Sequence, residues 1–232
     1  MNTTTARFAA IALFTGVAAT SAQALTLPTN ALVANSVQAF TPDNLAALDL
    51  VNMVIEARGT AYVAKAGTPG ESNGTVTPVA FGFPITRVVI GSKLKVASGT
   101  ASGAALFFNR YDPDADKRTG LTLANFTIDY NRGQVLADTT ILGGKTQVQM
   151  PIYDYTAASP LALKYKFPLR IVLNEVLNDL RLTPELKAAL INGVELPEFA
   201  IPALDIPFGS LTQDIGVKLR VPAVNARPYV AK

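Results

Sequence analysis

Apolar and polar side chains alternate with a period of two along most of the chain between residues 51 and 167. In Thr146–Ile152, Val148, Met150 and Ile152 fall on one side of the strand. Gln147 and Gln149 fall on the other side. Successive side chains of a β-strand point to opposite faces of its sheet, so this alternation predicts strands with one buried face.

Turn-forming residues separate the predicted strands. The candidate strands are residues 51–65, 75–83, 85–98, 102–111, 121–130, 133–142, 145–154 and 161–168. Asn131-Arg-Gly133 and Gly143-Gly144 favour tight turns, because glycine adopts positive φ without steric cost. Strands joined by such short turns pair as antiparallel neighbours, so we expect a meander and no βαβ units.

One predicted strand breaks its own alternation. Leu121 and Leu123 occupy odd positions, whereas Phe126 and Ile128 occupy even positions. One extra residue near Ala124-Asn125 would turn both pairs toward the same face, as a β-bulge does. The sequence therefore predicts a bulge at this point.

A helical hairpin is predicted near residues 170–192. Its first helix rests on four apolar residues at helical spacing, Leu173, Val176, Leu177 and Leu180. Thr183-Pro184 favours the start of a second helix, which Asn192-Gly193 can end. The fold class predicted is mainly β, an antiparallel two-sheet sandwich or alternatively an open barrel, with the helical hairpin over one end or edge.

The first 24 residues have the pattern of a secretory signal peptide. Arg7 precedes a short apolar run, and Ala22-Gln-Ala24 has the small residues that signal peptidase recognises. We predict cleavage between Ala24 and Leu25 and a secreted or periplasmic protein. Residues 25–232 would form a single β-rich domain, with 25–40 as an N-terminal arm or a first strand. No later apolar run of about 20 residues occurs, so no transmembrane segment is predicted in the mature chain.

The chain contains neither cysteine nor histidine. This excludes disulfides, thiolate or imidazole metal sites, and catalytic groups built on His or Cys. The formal net charge is +3 and no block of basic residues occurs, so nucleic acid is not an expected partner. A carboxylate-based hydrolase could draw on Asp129, Asp138 or Asp154, but no motif joins them. We therefore predict that the protein is not an enzyme.

The segment Tyr111–Gly120 carries three aspartates at every second position, Asp112, Asp114 and Asp116. Oxygen ligands at positions 1, 3 and 5 are those of an EF-hand calcium loop. Lys117 stands where that loop has glycine, and Leu123 stands where it has glutamate, so the full motif is absent. The hypothesis that remains is a calcium site on the three aspartates, and the alternative is a solvated hairpin tip.

Tyr153-Asp-Tyr155 places two tyrosines close together in a predicted strand. They suit a strand surface or a platform that stacks on a sugar.

Three segments, Gly120–Asp129, Gly133–Asp138 and Leu180–Leu190, resemble secreted bacterial domains of the HtaA type. The resemblance implies a β-sandwich and a family in which haem is captured by tyrosine supported by histidine. Because this chain lacks histidine, we predict that haem is not its ligand and that it has no cofactor apart from calcium.

These observations favour an exported, non-enzymatic protein that acts by binding or assembly. Self-assembly, or pairing with another extracytoplasmic protein, would use strand addition at a sheet edge. Two alternatives remain open: a carrier of an apolar ligand such as haem or lipid, and the carboxylate-based hydrolase.

Overall fold

The structure, a computed structural model, describes residues 24–91, 95–166 and 170–231. The predicted signal peptide lies outside these residues except for Ala24, and its cleavage stays a prediction. Within the described residues no helix is long and apolar enough to cross a membrane.

Within these residues the chain forms twelve β-strands, two α-helices and a 3₁₀ helix. The strands are β1 Leu25–Pro28, β2 Leu32–Ala39, β3 Met53–Gly59, β4 Tyr62–Lys65, β5 Ala80–Pro84, β6 Arg87–Ile90, β7 Val96–Asp112, β8 Lys117–Asp129, β9 Gln134–Ile141, β10 Thr146–Lys166, β11 Arg170–Leu182 and β12 Ser210–Leu219. The helices are α1 Pro42–Leu50, α2 Pro184–Gly193 and the 3₁₀ helix Glu198–Asp205.

All twelve strands belong to one sheet in the order β1-β6-β7-β8-β9-β10-β11-β12-β2-β5-β4, and β3 also pairs with β7. Every pair is antiparallel. The prediction of a mainly β, antiparallel fold is therefore confirmed. The sheet curls into a half-barrel, as in the open-barrel alternative. Long strands such as β7 run without interruption, whereas two separate sheets would require a break in them.

A line of bulges bends the sheet across four neighbouring strands. The bulge predicted near Ala124-Asn125 is present, since Asn125 has a φ of 53° and the β8–β9 register shifts beside it. Gly103 of β7 and Gln149 of β10 also have positive φ, and the register shifts next to each. Each bulge adds local twist, so together they turn the sheet around the core.

Asp138 of β9 holds this bend together. Its carboxylate accepts hydrogen bonds from Asn125 Nδ2 at 2.8 Å, from the Gln149 backbone N–H at 2.9 Å and from Gln149 Nε2 at 3.1 Å. Backbone that bulges away from its partner strand leaves unpaired polar groups, which must find other partners. Asp138 supplies that partner for β10, and it fixes the side chain of Asn125 in β8.

We expect Asp138→Ala to lower the free energy of unfolding by about 2 kcal/mol or more, because it leaves half-buried donors unpaired. Urea denaturation followed by circular dichroism measures this change. Asp214→Ala is the matched control, since Asp214 is exposed on β12 and accepts no side-chain hydrogen bond from the described residues. Equal midpoints for the two variants would contradict the role given to Asp138.

The first helix of the hairpin predicted near 170–192 is wrong, because Arg170–Leu182 forms strand β11. A bulge at Asp179, which has a φ of 53°, places two residues of β11 opposite one residue of β10. Leu177 and Leu180 therefore both face the core although they are three positions apart. The bulge reproduced the apolar spacing of a helix. The second predicted helix is present as α2, with Thr183 capping its first turn.

The helices cover one end of the half-barrel. Leu48 of α1, Leu190 of α2 and Leu204 of the 3₁₀ helix are buried in the same apolar cluster as Phe108 and Phe208. Burying apolar area is the main favourable contribution to folding, and here it fixes the helices against the sheet. The same cluster continues between β2, β8 and β12 through Phe83, Phe126 and Leu211.

Residues 25–40 lie in the sheet as strands β1 and β2. β1 pairs with β6, and β2 lies between β12 and β5. Leu25 and Leu27 of β1 are exposed at an edge of the sheet. Strand addition to a neighbour stays a prediction. It would use an edge strand such as β1 rather than a free arm.

A buried aspartate organises the loop before β5. Asp49, at the end of α1, accepts hydrogen bonds from the backbone N–H groups of Ser72, Asn73 and Thr75 and from the Thr75 hydroxyl, at 2.7 to 3.0 Å. Burial alone would raise the pKa of this carboxyl group, but these hydrogen bonds outweigh it and lower the pKa to about 2.

The loop should loosen in acid. Because the folded pKa of Asp49 lies below its unfolded value of 3.8, its carboxylate stabilises the fold above about pH 4, and that contribution is lost as the pH falls toward 2. We expect the exchange protection factors of the Ser72, Asn73 and Thr75 amides to fall over this window. In Asp49→Asn they should be low already at pH 6. Constant protection in the unsubstituted protein would contradict the account.

Candidate functional site

A small chamber lies inside the half-barrel between β2, β5, β8 and β12. Phe83, Ile85, Phe126, Ile128 and Leu211 supply most of its apolar wall. Its volume is about 30 Å³, which is room for a water molecule but not for a larger ligand. Any larger molecule would have to displace part of the wall.

Polar side chains reach the chamber from two neighbouring strands. Ser36 and Gln38 point inward from β2, and Gln213 points inward from β12. Gln38 Nε2 donates to the hydroxyl of Tyr153 at 3.1 Å. The Ser36 hydroxyl is buried and has no hydrogen-bond partner among the described residues. A buried hydroxyl without a partner is costly, so this group is suited to a bound molecule.

Beside the chamber, Tyr130, Glu175 and Gln213 form a buried polar triad. The Tyr130 hydroxyl donates to Glu175 Oε2 at 2.7 Å, and Gln213 Nε2 donates to both of these oxygens at 2.7 Å. Glu175 and Gln213 are 2% and 1% exposed. Within the described residues, Oε1 of Glu175 accepts no hydrogen bond. Among the described residues, both donors thus bind the same carboxylate oxygen, Oε2.

Burial dominates the ionisation of these groups. It raises the pKa of Glu175, although the hydrogen bond from Tyr130 opposes that effect. Burial, the nearby Glu175 charge and the hydrogen bond to it raise the pKa of Tyr130. Burial raises the pKa of Tyr153 to about 12, against the hydrogen bond from Gln38. Both tyrosines are therefore neutral phenols at neutral pH, and the carboxylate is the group whose charge changes most readily.

The pH dependence of stability tests this description of Glu175. Because its folded pKa lies above the unfolded value of 4.5, ionised Glu175 destabilises the fold increasingly as the pH rises above about 4.5. We expect the stability of Glu175→Gln relative to the unsubstituted protein to increase between pH 4 and pH 8, measured by urea denaturation. Parallel pH profiles for the two proteins would contradict a raised pKa.

Two of the three aspartates predicted to bind calcium, Asp112 and Asp116, accept hydrogen bonds within the hairpin itself. Asp112 accepts from the backbone N–H groups of Asp114 and Ala115 at 3.1 and 3.2 Å and from Arg110 at 3.1 Å. Asp116 accepts from the Tyr111 hydroxyl at 2.8 Å. Among the described residues, no group of three acidic side chains is placed to hold a metal ion. Calcium binding by Asp112, Asp114 and Asp116 stays a prediction.

The same hairpin docks on the segment after α2. Arg110 donates to the Glu195 backbone carbonyl at 3.0 Å, Lys117 pairs with the Glu195 carboxylate at 2.6 Å, and the Thr119 hydroxyl donates to the Val194 carbonyl at 2.7 Å. These contacts give the charged residues of the hairpin a structural role.

Of the carboxylates considered for a hydrolase, Asp129 of β8 and Asp154 of β10 lie opposite the same residue of β9, Gln134, whereas Asp138 lies apart from them at the bend. Asp129 accepts from the backbone N–H groups of its own turn, Asp154 accepts from Gln134, and Asp138 belongs to the bend. Their hydrogen bonds give each a local role and do not link them to one another.

A bulge directly precedes the tyrosine pair predicted in β10. Tyr153 and Ile152 are both buried, since the β9–β10 register shifts between Pro151 and Tyr153. Tyr155 is half-buried and donates to the Asp129 carbonyl at 3.4 Å. The two rings therefore do not form a common platform.

Sequence reasoning missed Tyr130, Glu175 and Gln213. The signal for Glu175 was its odd position between Leu173 and Leu177, which places a carboxylate on the apolar face once the segment is taken as a strand. Interpreting that segment as a helix moved Glu175 to the polar side.

No family model matches this sequence, and no curated protein matches it. Two solved structures are similar in fold, the haem-binding protein HtaB and the C-terminal domain of HtaA, both from Corynebacterium glutamicum. The identities are 12% and 10%, the matches cover 85% and 80% of this chain and 98% and 97% of theirs, and the TM-scores are 0.48 and 0.49. The resemblance to HtaA-type domains is thus confirmed. The description of HtaB contradicts our prediction against haem, which rested on the absence of histidine.

Proposed function

We propose that the protein is an exported, non-enzymatic binding protein whose half-barrel holds a largely apolar ligand with one polar group. The observation that carries this proposal is the buried Glu175 carboxylate, with two donors directed at one oxygen, beside an apolar chamber. Export rests on the pattern of residues 1–24. N-terminal sequencing of the secreted protein tests it.

Stability alone does not explain the triad. A buried carboxylate has a large desolvation cost, and replacing a buried polar network with apolar residues of similar volume is often neutral or stabilising. Since the cost is located beside the chamber, we infer that Tyr130, Glu175 and Gln213 are retained for contact with a ligand.

The polar groups of the triad favour two kinds of ligand. A lipid would place its chain against Phe83 and Phe126 and direct a hydrogen-bond donor of its head group to Glu175 Oε1. Haem would use Tyr130, because a phenol oxygen is one of the axial ligands of haem iron. Bound haem supplies iron as a Lewis acid. For its part, the chain supplies the phenol oxygen and Glu175, which already holds the hydrogen bond from the phenol and can take its proton.

Either ligand is larger than the chamber, so binding must be accompanied by movement of the wall. The strands around the chamber are joined by antiparallel hydrogen bonds, and their separation would expose amides of β2 and β12. We therefore expect ligand binding to change hydrogen exchange in these strands and not only at the ligand contacts.

The proposal is tested by purifying the secreted protein and measuring its visible absorbance and its extractable lipid. The apo-protein is then titrated with hemin and with a long-chain fatty alcohol, whose hydroxyl is a hydrogen-bond donor. We expect saturable binding of one of these. Tyr130→Phe should weaken hemin binding at least tenfold and change its spectrum, or Glu175→Gln should weaken fatty alcohol binding through loss of a charged hydrogen-bond partner.

The matched control is Tyr62→Phe, because Tyr62 lies on edge strand β4 and is 40% exposed. It keeps an aromatic ring and removes only a hydroxyl distant from the triad in the strand order. Equal weakening by Tyr62→Phe, or a purified protein that binds neither hemin nor the fatty alcohol and carries no extractable ligand, would contradict the proposal.

A further inference from the structure

We propose that residues 101–103 of β7 form a port into the chamber and that the C-terminal segment 225–230, here called the strap, is its removable cover. The inference rests on the proposed role of the chamber as a ligand site. It is argued from a gap in the hydrogen bonding of the sheet, from the size of the side chains there and from the contacts of the strap.

The gap arises where β7 changes partner. β6 pairs with β7 as far as Thr100, and β3 pairs with it from Ala104 onward. On the other side, residues 102–104 lie opposite Asn125 alone, because the β7–β8 register shifts there. Ser102 and Gly103 therefore lack a paired strand neighbour on both sides.

Side chains and a loop replace the missing strand partners. The Ser102 N–H donates to Thr86 Oγ1 at 3.1 Å, and the Gly103 N–H donates to Asn125 Oδ1 at 3.0 Å. The Gly103 carbonyl accepts from the Thr60 N–H at 2.9 Å. Each of these bonds can open individually, whereas ladder bonds between two paired strands open cooperatively.

The wall is thin at this point. Residues 99–103 are Gly, Thr, Ala, Ser and Gly, so no side chain there is larger than threonine. Ala101 lines the chamber, whereas Ser102 lines an open groove of about 440 Å³ on the outside of the sheet. Thr100 lines both. The chamber and the groove are thus separated by the thickness of one strand.

The strap lies over this wall, and both form hydrogen bonds with Asn125. The Tyr229 N–H donates to Asn125 Oδ1 at 2.7 Å, and Asn125 Nδ2 donates back to the Tyr229 carbonyl at 3.0 Å. Gly103 has a φ of 85°, and a Cβ on it would lie 2.8 Å from the Arg227 carbonyl oxygen. The strap backbone therefore rests directly on Gly103, and the same amide oxygen holds both cover and wall.

The test uses the absence of cysteine, which makes one introduced thiol a specific reporter. Ala101→Cys places it in the chamber wall, and Ala137→Cys, a fully buried position of β9, serves as the reference. The labelling rate with iodoacetamide is measured for each reporter, alone and combined with Tyr229→Pro, which removes the N–H that binds Asn125. Ala231→Pro is the control, since no hydrogen bond of its N–H occurs among the described residues.

We expect position 101 to label faster than position 137 in the chain with an intact strap. Tyr229→Pro should accelerate labelling at 101 about tenfold, the effect of losing a buried hydrogen bond, and leave position 137 and the Ala231→Pro control unchanged. Deletion of residues 225–232 should act in the same direction. Equal acceleration at 101 and 137, or no acceleration at 101, would overturn the port. No ligand is needed, so this result is independent of whether hemin or the fatty alcohol binds.

Discussion

The bend of the sheet at Gly103, Asn125 and Gln149 is the constraint on which the rest of the structure depends. Three strands each take one residue through positive φ at the same level, and Asp138 and Asn125 satisfy the backbone groups that the bulges release. Without that bend the long strands would continue as a flat sheet. With it, they enclose an interior that the helices cover at one end, and they leave the chamber between β2, β8 and β12.

The interior beside the chamber inverts the usual pattern of a strand. In β2 the inward residues are Ala34, Ser36 and Gln38, while Val33 and Val37 lie on the other face. Gln213 and Glu175 continue this polar lining onto β12 and β11. A core selected only for stability places its valines inside and its glutamines outside. The inversion on neighbouring strands is the reason we assign this part of the half-barrel to ligand contact.

Periodicity predicted the β class, the antiparallel pairing and the bulge at Asn125, because each depends on local alternation and on turn residues. It failed at Leu177 and Leu180, where a bulge imitated helical spacing. It also could not find the triad, because Glu175 and Gln213 meet through the pairing of β11 with β12, and Tyr130 reaches them only when the sheet curls. In the conspicuous local pattern of Tyr111–Gly120, Asp112 and Asp116 hold the hairpin, and Lys117 and Thr119 hold the segment after α2. Calcium binding by the aspartates stays a prediction.

Replacing the triad as a unit tests the central claim most directly. A triple variant makes the buried network apolar at similar volume. It combines Tyr130→Phe, Glu175→Leu and Gln213→Leu. The account predicts that the free energy of unfolding is unchanged or higher by about 1–4 kcal/mol, and that ligand binding is lost. A combined variant that is clearly less stable yet binds the ligand as before would show that the triad supports the fold and would contradict the account.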